Sequence, residues 1–367
     1  MSVLLKNSSI VFFLSLITTL SGQVFRLTNS IPTTISGIEY RFLPVQSDND
    51  FNFLFYSVKN KKQNFELITI KDTSAITRMP IKNKGLDGGG SWYKSAVMSD
   101  KKLLLLHVDG YLIIYEKDKK GNYALKKTLN IRGRDFKMLS LLDNETILLA
   151  NSYNGYDKDK LHDNYALCVY NLQTNKIPYY AEMDLGKGIL LSHIGTTVLI
   201  ESKKDKIALA HPTLPFIYIY NENLKPIDTV HVQFQHALSI DSVINTVFSD
   251  SYLERINPKD IIQTINDGKI DDMERIEKVF WLSDDVLGYT IQQPFSQARM
   301  FVFYSLSEKR ELYSRIYDGP PYNFFSSTRV LINNNKTIWT DGIYKNDKSD
   351  IYYKFDIFDL LPFNGAE

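Results

Sequence analysis

KLLLLHVDG at residues 102–110, YLIIYEKDKKGN at 111–122 and YALKKTL at 123–129 decide the fold of this 367-residue chain. The three runs are apolar or alternating, and Asp109-Gly110 and Lys120-Gly121-Asn122 separate them. Those turns supply the positive φ angles that tight hairpins require, so the stretch reads as an antiparallel meander. The same grammar recurs outward from it. ETILLANS and NYALCVYNLQTNKIPYY follow within 145–180, then KIALAHP and FIYIYNENLKPIDTVHV within 206–232. KVFWLSDDVLGYTIQQP and ARMFVFYSLSEKRELYSRIYD occupy 278–318, and STRVLINNNKTIWTDG and DIYYKFDIF close the chain.

The recurring unit is two apolar strands, an aromatic third strand such as Phe216 to Tyr220, and a polar fourth. In a β-propeller blade the inner strands pack between neighbouring blades and the outermost faces water, so hydrophobicity should fall from first to last. About 300 residues at about 50 per blade give six blades, with seven as the alternative count. The expected fold is therefore all-β, a six- or seven-bladed β-propeller in a single domain spanning 23–367. Residues 24–28 (VFRLT) would add an outer strand to the last blade and close the ring, leaving no exposed sheet edge.

Composition agrees with a strand-rich globular chain. It is 44% hydrophobic, and its 23 Tyr, 21 Phe and 3 Trp favour pleated surfaces. Forty-three Lys and Arg against 42 Asp and Glu leave a net charge of +1, too little to gather nucleic acid. At the N-terminus, Lys6 precedes the eleven-residue apolar run IVFFLSLITTL at 10–20, and Thr19-Leu20-Ser21 puts small residues where a signal peptidase looks. Residues 1–22 thus read as a cleaved signal peptide for a secreted or periplasmic protein. The run falls short of the roughly twenty residues a membrane span needs, so no transmembrane anchor is expected after cleavage. Cys168, the single cysteine, reads as a buried structural thiol, so no disulfide staples the fold.

One segment departs from the strand pattern. Across 239–277 the two-residue period lapses, and Asn257-Pro258, KDIIQTIND and Gly268 read as cap, first-turn proline, short helix and terminal glycine. Ile261, Ile262 and Ile265 form one apolar stripe, which covers a blade edge or serves as a lid over one face.

Together, the export signal, the blade-like grammar and FIYIYNENLKPIDTV resemble the secreted bacterial six-bladed propellers of the TolB-like and NHL-like group. The resemblance rests on pattern across most of the mature chain. It implies a scaffold used for binding and carries over no catalytic residue. Trp-Asp dipeptides and repeated double glycines of other propeller families are missing.

Motifs for chemistry are sparse. The six histidines form no HExxH, and no Cys/His spacing suits zinc. Asp157, Asp159 and Asp163 lack the turn glycine and closing Glu of a calcium loop, and Gly88-Gly89-Gly90 lacks the GK[ST] ending of a phosphate loop. No cofactor, no metal and no catalytic residue is nominated. Propeller ligands usually meet one face around the central channel, lined by the segments before each innermost strand and the loops between second and third strands. Those positions here include Trp92, Tyr93, Arg132, Arg134, Tyr156, His162, Lys187, His211, Tyr322 and Asp341, with Gln293 beside them. Aromatic platforms and cations would suit a small molecule, a glycan or a protein segment. A monomeric, non-enzymatic binding module is the preferred expectation. A propeller lactonase, lyase or glycoside hydrolase, with channel carboxylates or a metal, is the alternative.

Overall fold

In the computed structural model the described residues are 25–36, 40–46, 51–59, 62–71, 75–81, 93–131, 136–151, 165–182, 198–212, 214–234, 274–293, 299–317, 329–333, 336–347 and 350–360. They form twenty-four strands, and no helix occurs among them.

In chain order, β1 (Phe25–Ser36) precedes β2 (Tyr40–Gln46), β3 (Phe51–Lys59), β4 (Lys62–Lys71) and β5 (Ala75–Ile81), a four-stranded antiparallel meander. β6 (Tyr93–Met98), β7 (Lys102–His107), β8 (Tyr111–Lys117) and β9 (Tyr123–Asn130) form a second, joined to the first by a short parallel pairing of β2 with β6 at Val45↔Ala96. Three further segments repeat the pattern as separate sheets. They are β10 (Phe136–Leu141) to β13 (Lys176–Glu182), through β11 (Thr146–Asn151) and β12 (Tyr165–Asn171); β14 (Leu199–Lys203) to β17 (Pro226–His231), through β15 (Lys206–Ala210) and β16 (Phe216–Asn221); and β18 (Arg275–Trp281) to β21 (Arg310–Tyr317), through β19 (Val286–Gln292) and β20 (Arg299–Ser305). The remaining sheet holds β22 (Arg329–Asn333), β23 (Lys336–Asp347), β24 (Asp350–Leu360) and, as its outer strand, β1. β1 runs antiparallel to β24 from Phe25↔Leu360 to Ser36↔Asp350, so chain start and chain end share a sheet.

The four-leucine run explains how the sheets stack. Alternate residues of a strand point to opposite faces, and a strand that is apolar at every position is covered on both. Leu103 and Leu105 of β7 pack with Val45, Leu54 and Leu67 of the preceding meander. Leu104 and Leu106 pack with Phe136, Leu139, Ile147 and Leu149 of the following one. The second strands β11 and β15 repeat this division: Ile147 and Leu149 face backward while Leu148 and Ala150 face forward, and Ile207 and Leu209 are split in the same way from Ala208 and Ala210. The β6–β9, β10–β13 and β14–β17 sheets thus each share their interior with both neighbours.

Burial does not fall steadily from first strand to fourth. The outer strands β9 and β17 are mostly exposed, as expected, but the most continuously buried strand is the second. First strands meet one another through polar groups, which keeps their faces less apolar. Lys94 Nζ donates to Phe136 O at 3.1 Å, and Ser95 Oγ accepts from Leu139 N at 3.2 Å. Ser140 and Ser202 lie 2.9 Å apart, and Lys278 Nζ is 3.8 Å from Glu201 Oε2. These contacts match early residues with early and late with late, so β6, β10, β14 and β18 run side by side in one direction.

Of the segment 239–277, residues 239–273 lie outside the described residues. Its last residues are not insertion: β18 starts at Arg275, because Ile276, Val279 and Trp281 enter the core shared with β15 and β16.

Candidate functional site

Aligned first strands give the sheets a common leading end, where the first and third strands start and the second and fourth finish. Of the ten nominated residues, Trp92, Arg132, Arg134, Tyr156, His162, Lys187 and Tyr322 lie outside the described residues. Asp341 lies within β23, opposite Lys354 of β24. Tyr93 and His211 are described, and both sit at the leading end, in sheets separated by the β10–β13 meander. The structure therefore places them at equivalent corners and does not bring them into contact.

Tyr93 opens β6 and pairs across the ladder with His107, the last residue of β7. Their rings meet edge-on with centroids 5.4 Å apart, and Tyr111, which starts β8, tilts against the imidazole with centroids 6.3 Å apart. The turn HVDG fixes the ring. Gly110 takes φ 77°, a conformation that an L side chain rarely adopts, and its N donates to His107 O at 3.1 Å. This brings Asp109 N within 3.1 Å of His107 Nδ1, which accepts its hydrogen, so the imidazole proton resides on Nε2. Burial lowers the His107 pKa below its usual value, and Lys94 acts in the same direction, together outweighing the opposing pull of Asp109. The 3.5 Å separation of Nδ1 from Asp109 Oδ2 becomes an ion pair only on protonation.

His211 follows β15 and is 1% exposed. Burial alone pushes its pKa down to about 4, so the ring is neutral at physiological pH. The next residue, Pro212, accepts at its carbonyl from Ile276 N at 2.7 Å, which docks this turn on the start of β18. There the leading end becomes densely polar. Glu274, 1% exposed, accepts from Gln293 Nε2 at 3.1 Å. Arg275 Nε donates to Gln292 Oε1 at 2.9 Å, and Arg299, 3% exposed, grips Glu277 through Nε and through Nη2, the latter at 2.9 Å. Two-pronged pairing of this kind holds a buried guanidinium without leaving an uncompensated charge.

His107, Glu274 and Arg299 were missed as candidates. The signal for His107 was present in KLLLLHVDG: a histidine directly after a run covered on both faces and directly before a tight turn must end in the first layer beneath the loops. Among the described residues no three His, Cys, Asp or Glu side chains form a group able to hold a metal ion. Nor is any described helix long and apolar enough to cross a membrane.

No family model matches the sequence, and no curated protein matches it either. Solved structures do resemble the fold. A member of the DUF4221 family from Bacteroides vulgatus matches with a TM-score of 0.53 at 9% identity, over 91% of this chain and 99% of that one. An exported-protein candidate from Bacteroides fragilis matches with a TM-score of 0.49 at 11% identity, over 86% and 94% of the two chains. The chain is thus an all-β protein of four-stranded antiparallel meanders. More particularly, it shares the overall fold of that DUF4221 protein; at such identity the likeness extends to fold alone.

Proposed function

We propose that this chain is an exported β-propeller of six four-stranded blades, of the TolB-like and NHL-like kind, that binds a ligand at its leading end without catalysing a reaction. Six successive meanders, polar contacts between parallel first strands and the seating of β1 beside β24 all support a closed ring. Lys6, the apolar run 10–20 and the small residues that follow support export to a secreted or periplasmic location.

The observation that carries the binding role is the concentration of buried ionisable side chains at one end of the sheets. His107, His211, Glu274 and Arg299 all occupy leading-end positions, whereas the other buried polar residues described in the second strands, Asn52 of β3 and Thr290 of β19, are uncharged. Buried polar groups cost stability unless they are paired, and a fold that needed only packing would have no cause to gather them at one end.

The test is hydrogen exchange on the mature chain, residues 23–367, alone and with panels of glycans, peptides and acidic small molecules. Protection on ligand addition should map to the 107–111 turn, to 211–214 and to 292–299. Protection confined to the outer strands or to the opposite turns would refute the leading end as the site, and turnover of a panel member would refute the non-enzymatic role.

A further inference from the structure

The imidazole of His107 is 6% exposed, yet its hydrogen bonds inside the protein use Nδ1 alone. Nε2 carries the proton and has no hydrogen-bond partner among the described residues. A histidine buried at the cost of its charge, packed against Tyr93 and Tyr111, and with its second ring nitrogen unused by the described residues is a preorganised hydrogen-bond donor. Around it the turn presents three complementary surfaces. Val108 exposes an aliphatic patch, half-buried Tyr111 an aromatic one, and Asp109 a carboxylate that is 63% exposed.

These groups select a ligand chemistry. A neutral imidazole offers no charge to an anion, and the neighbouring Asp109 carboxylate repels one. Lys94, the cation whose charge acts on His107 among the described residues, holds its ammonium against Phe136 O. A metal ion would find one exposed carboxylate and a ring nitrogen already protonated. A sugar ring fits each feature: its hydroxyls both donate and accept, while its C–H face lies flat on an aromatic or aliphatic surface. We propose that the 107–111 turn is a subsite for a neutral sugar residue, in which His107 Nε2–H donates to one hydroxyl, Asp109 accepts from another, and Tyr111 with Val108 supports the ring. This subsite rests on the reading of the leading end as a ligand face.

Calorimetric titration of the mature chain with maltohexaose, cellohexaose, laminarihexaose and xylohexaose tests it, with polygalacturonate as the acidic comparison. At least one neutral oligosaccharide should bind. His107→Ala and Tyr111→Ala should each weaken that binding about three- to tenfold, the loss expected of one hydrogen bond or one stacking surface. His107→Gln, which keeps an amide donor near the Nε2 position, should retain more affinity than His107→Ala, and Tyr111→Phe should bind as the wild type does. Thermal unfolding of each variant separates loss of binding from loss of fold, and Tyr111→Ala stands in if His107→Ala does not fold. The subsite is overturned if no neutral oligosaccharide binds, or if one binds with affinity insensitive to both alanine variants. If polygalacturonate or a peptide instead protects the leading end from exchange, the sugar assignment falls and the ligand face stands. If nothing protects that end, both fall.

Discussion

His211 makes the stability of this protein depend on pH over a window set by its own burial. In the unfolded chain its pKa is 6.5, and in the folded protein it is about 4. Between those values the unfolded state binds a proton that the native state refuses, so stability is complete above pH 6.5 and declines as the pH falls towards 4. One pKa unit corresponds to about 1.4 kcal/mol, and integration between pH 7.5 and pH 5 gives a loss of about 2 kcal/mol from this one group. Other groups that titrate over the range do so in a His211→Gln variant as well, and their contributions cancel in the comparison. The assay is urea unfolding of wild type and variant at pH 7.5 and pH 5, multiplying each midpoint shift by the measured m-value. Wild type should lose about 2 kcal/mol more than His211→Gln between the two pH values, whatever the variant costs at pH 7.5. Equal losses in the two proteins would mean that His211 is protonated in the native state, and the argument from desolvation would be wrong.

Three other expectations follow from packing and pairing. A Cβ on Gly288 would lie 1.9 Å from Phe280 Cε2, and the buried Phe280 ring sits edge-on to Phe303, so Gly288→Ala should lower the melting temperature through an overpacking cost of about 1–3 kcal/mol. Adding Phe280→Leu should recover part of that loss, and simple additivity of the two changes would refute the clash. A chain beginning at residue 37 lacks β1 and uncovers the whole β24 edge, so it should aggregate at concentrations where the mature chain does not, as light scattering would reveal; equal solubility would refute a closing role for β1. Cys168 is buried between Leu149 and Tyr180 in the β12 ladder, and a thiol reagent should modify it only at the rate of unfolding. Rapid labelling of native protein would contradict that placement.

The features visible in the sequence are those imposed by burial on two faces. LLLL at 103–106, ILLA at 147–150 and IALA at 207–210 mark three second strands, since only a doubly covered strand is apolar at every step. Less legible was a repeat in the turns between third and fourth strands. Asp118, Asn171, Asn221 and Ser305 each open such a turn and accept backbone N–H bonds through the side chain. A residue of positive φ follows three or four places later: Gly121, Asn175, Leu224 and Lys309. Because Asp, Asn and Ser serve that purpose equally and the left-handed residue changes identity, no shared string survives for a sequence comparison to detect. The expected fall in hydrophobicity failed at the first strands for a related reason, as Glu201, Lys203 and Lys278 contact polar groups of adjacent first strands rather than an apolar layer. Among the nominated site residues, those chosen for loop position fell where no periodicity constrains the reading, whereas Tyr93 and His211 adjoin strands whose register places them.

Scaffold and chemistry occupy different parts of the β6–β9, β10–β13 and β14–β17 meanders. The second strands β7, β11 and β15 are apolar on both faces where two sheets stack, but the corner formed by the start of the first strand and the end of the second has no such duty. That corner holds Tyr93 and His107 in the β6–β9 meander, Phe136 and Asn151 in β10–β13, Leu199 beside Ala210 and His211 in β14–β17, and Arg275 with Gln292 in β18–β21. Equivalent backbone positions therefore carry an aromatic–imidazole pair in β6–β9, an aliphatic pair capped by imidazole in β14–β17, and a guanidinium–amide pair in β18–β21. On the proposed reading, a ligand lying across the leading end would meet different chemistry above each of these three sheets. That asymmetry is what a repeat scaffold requires for specificity, because identical corners would bind the same group in several equivalent poses.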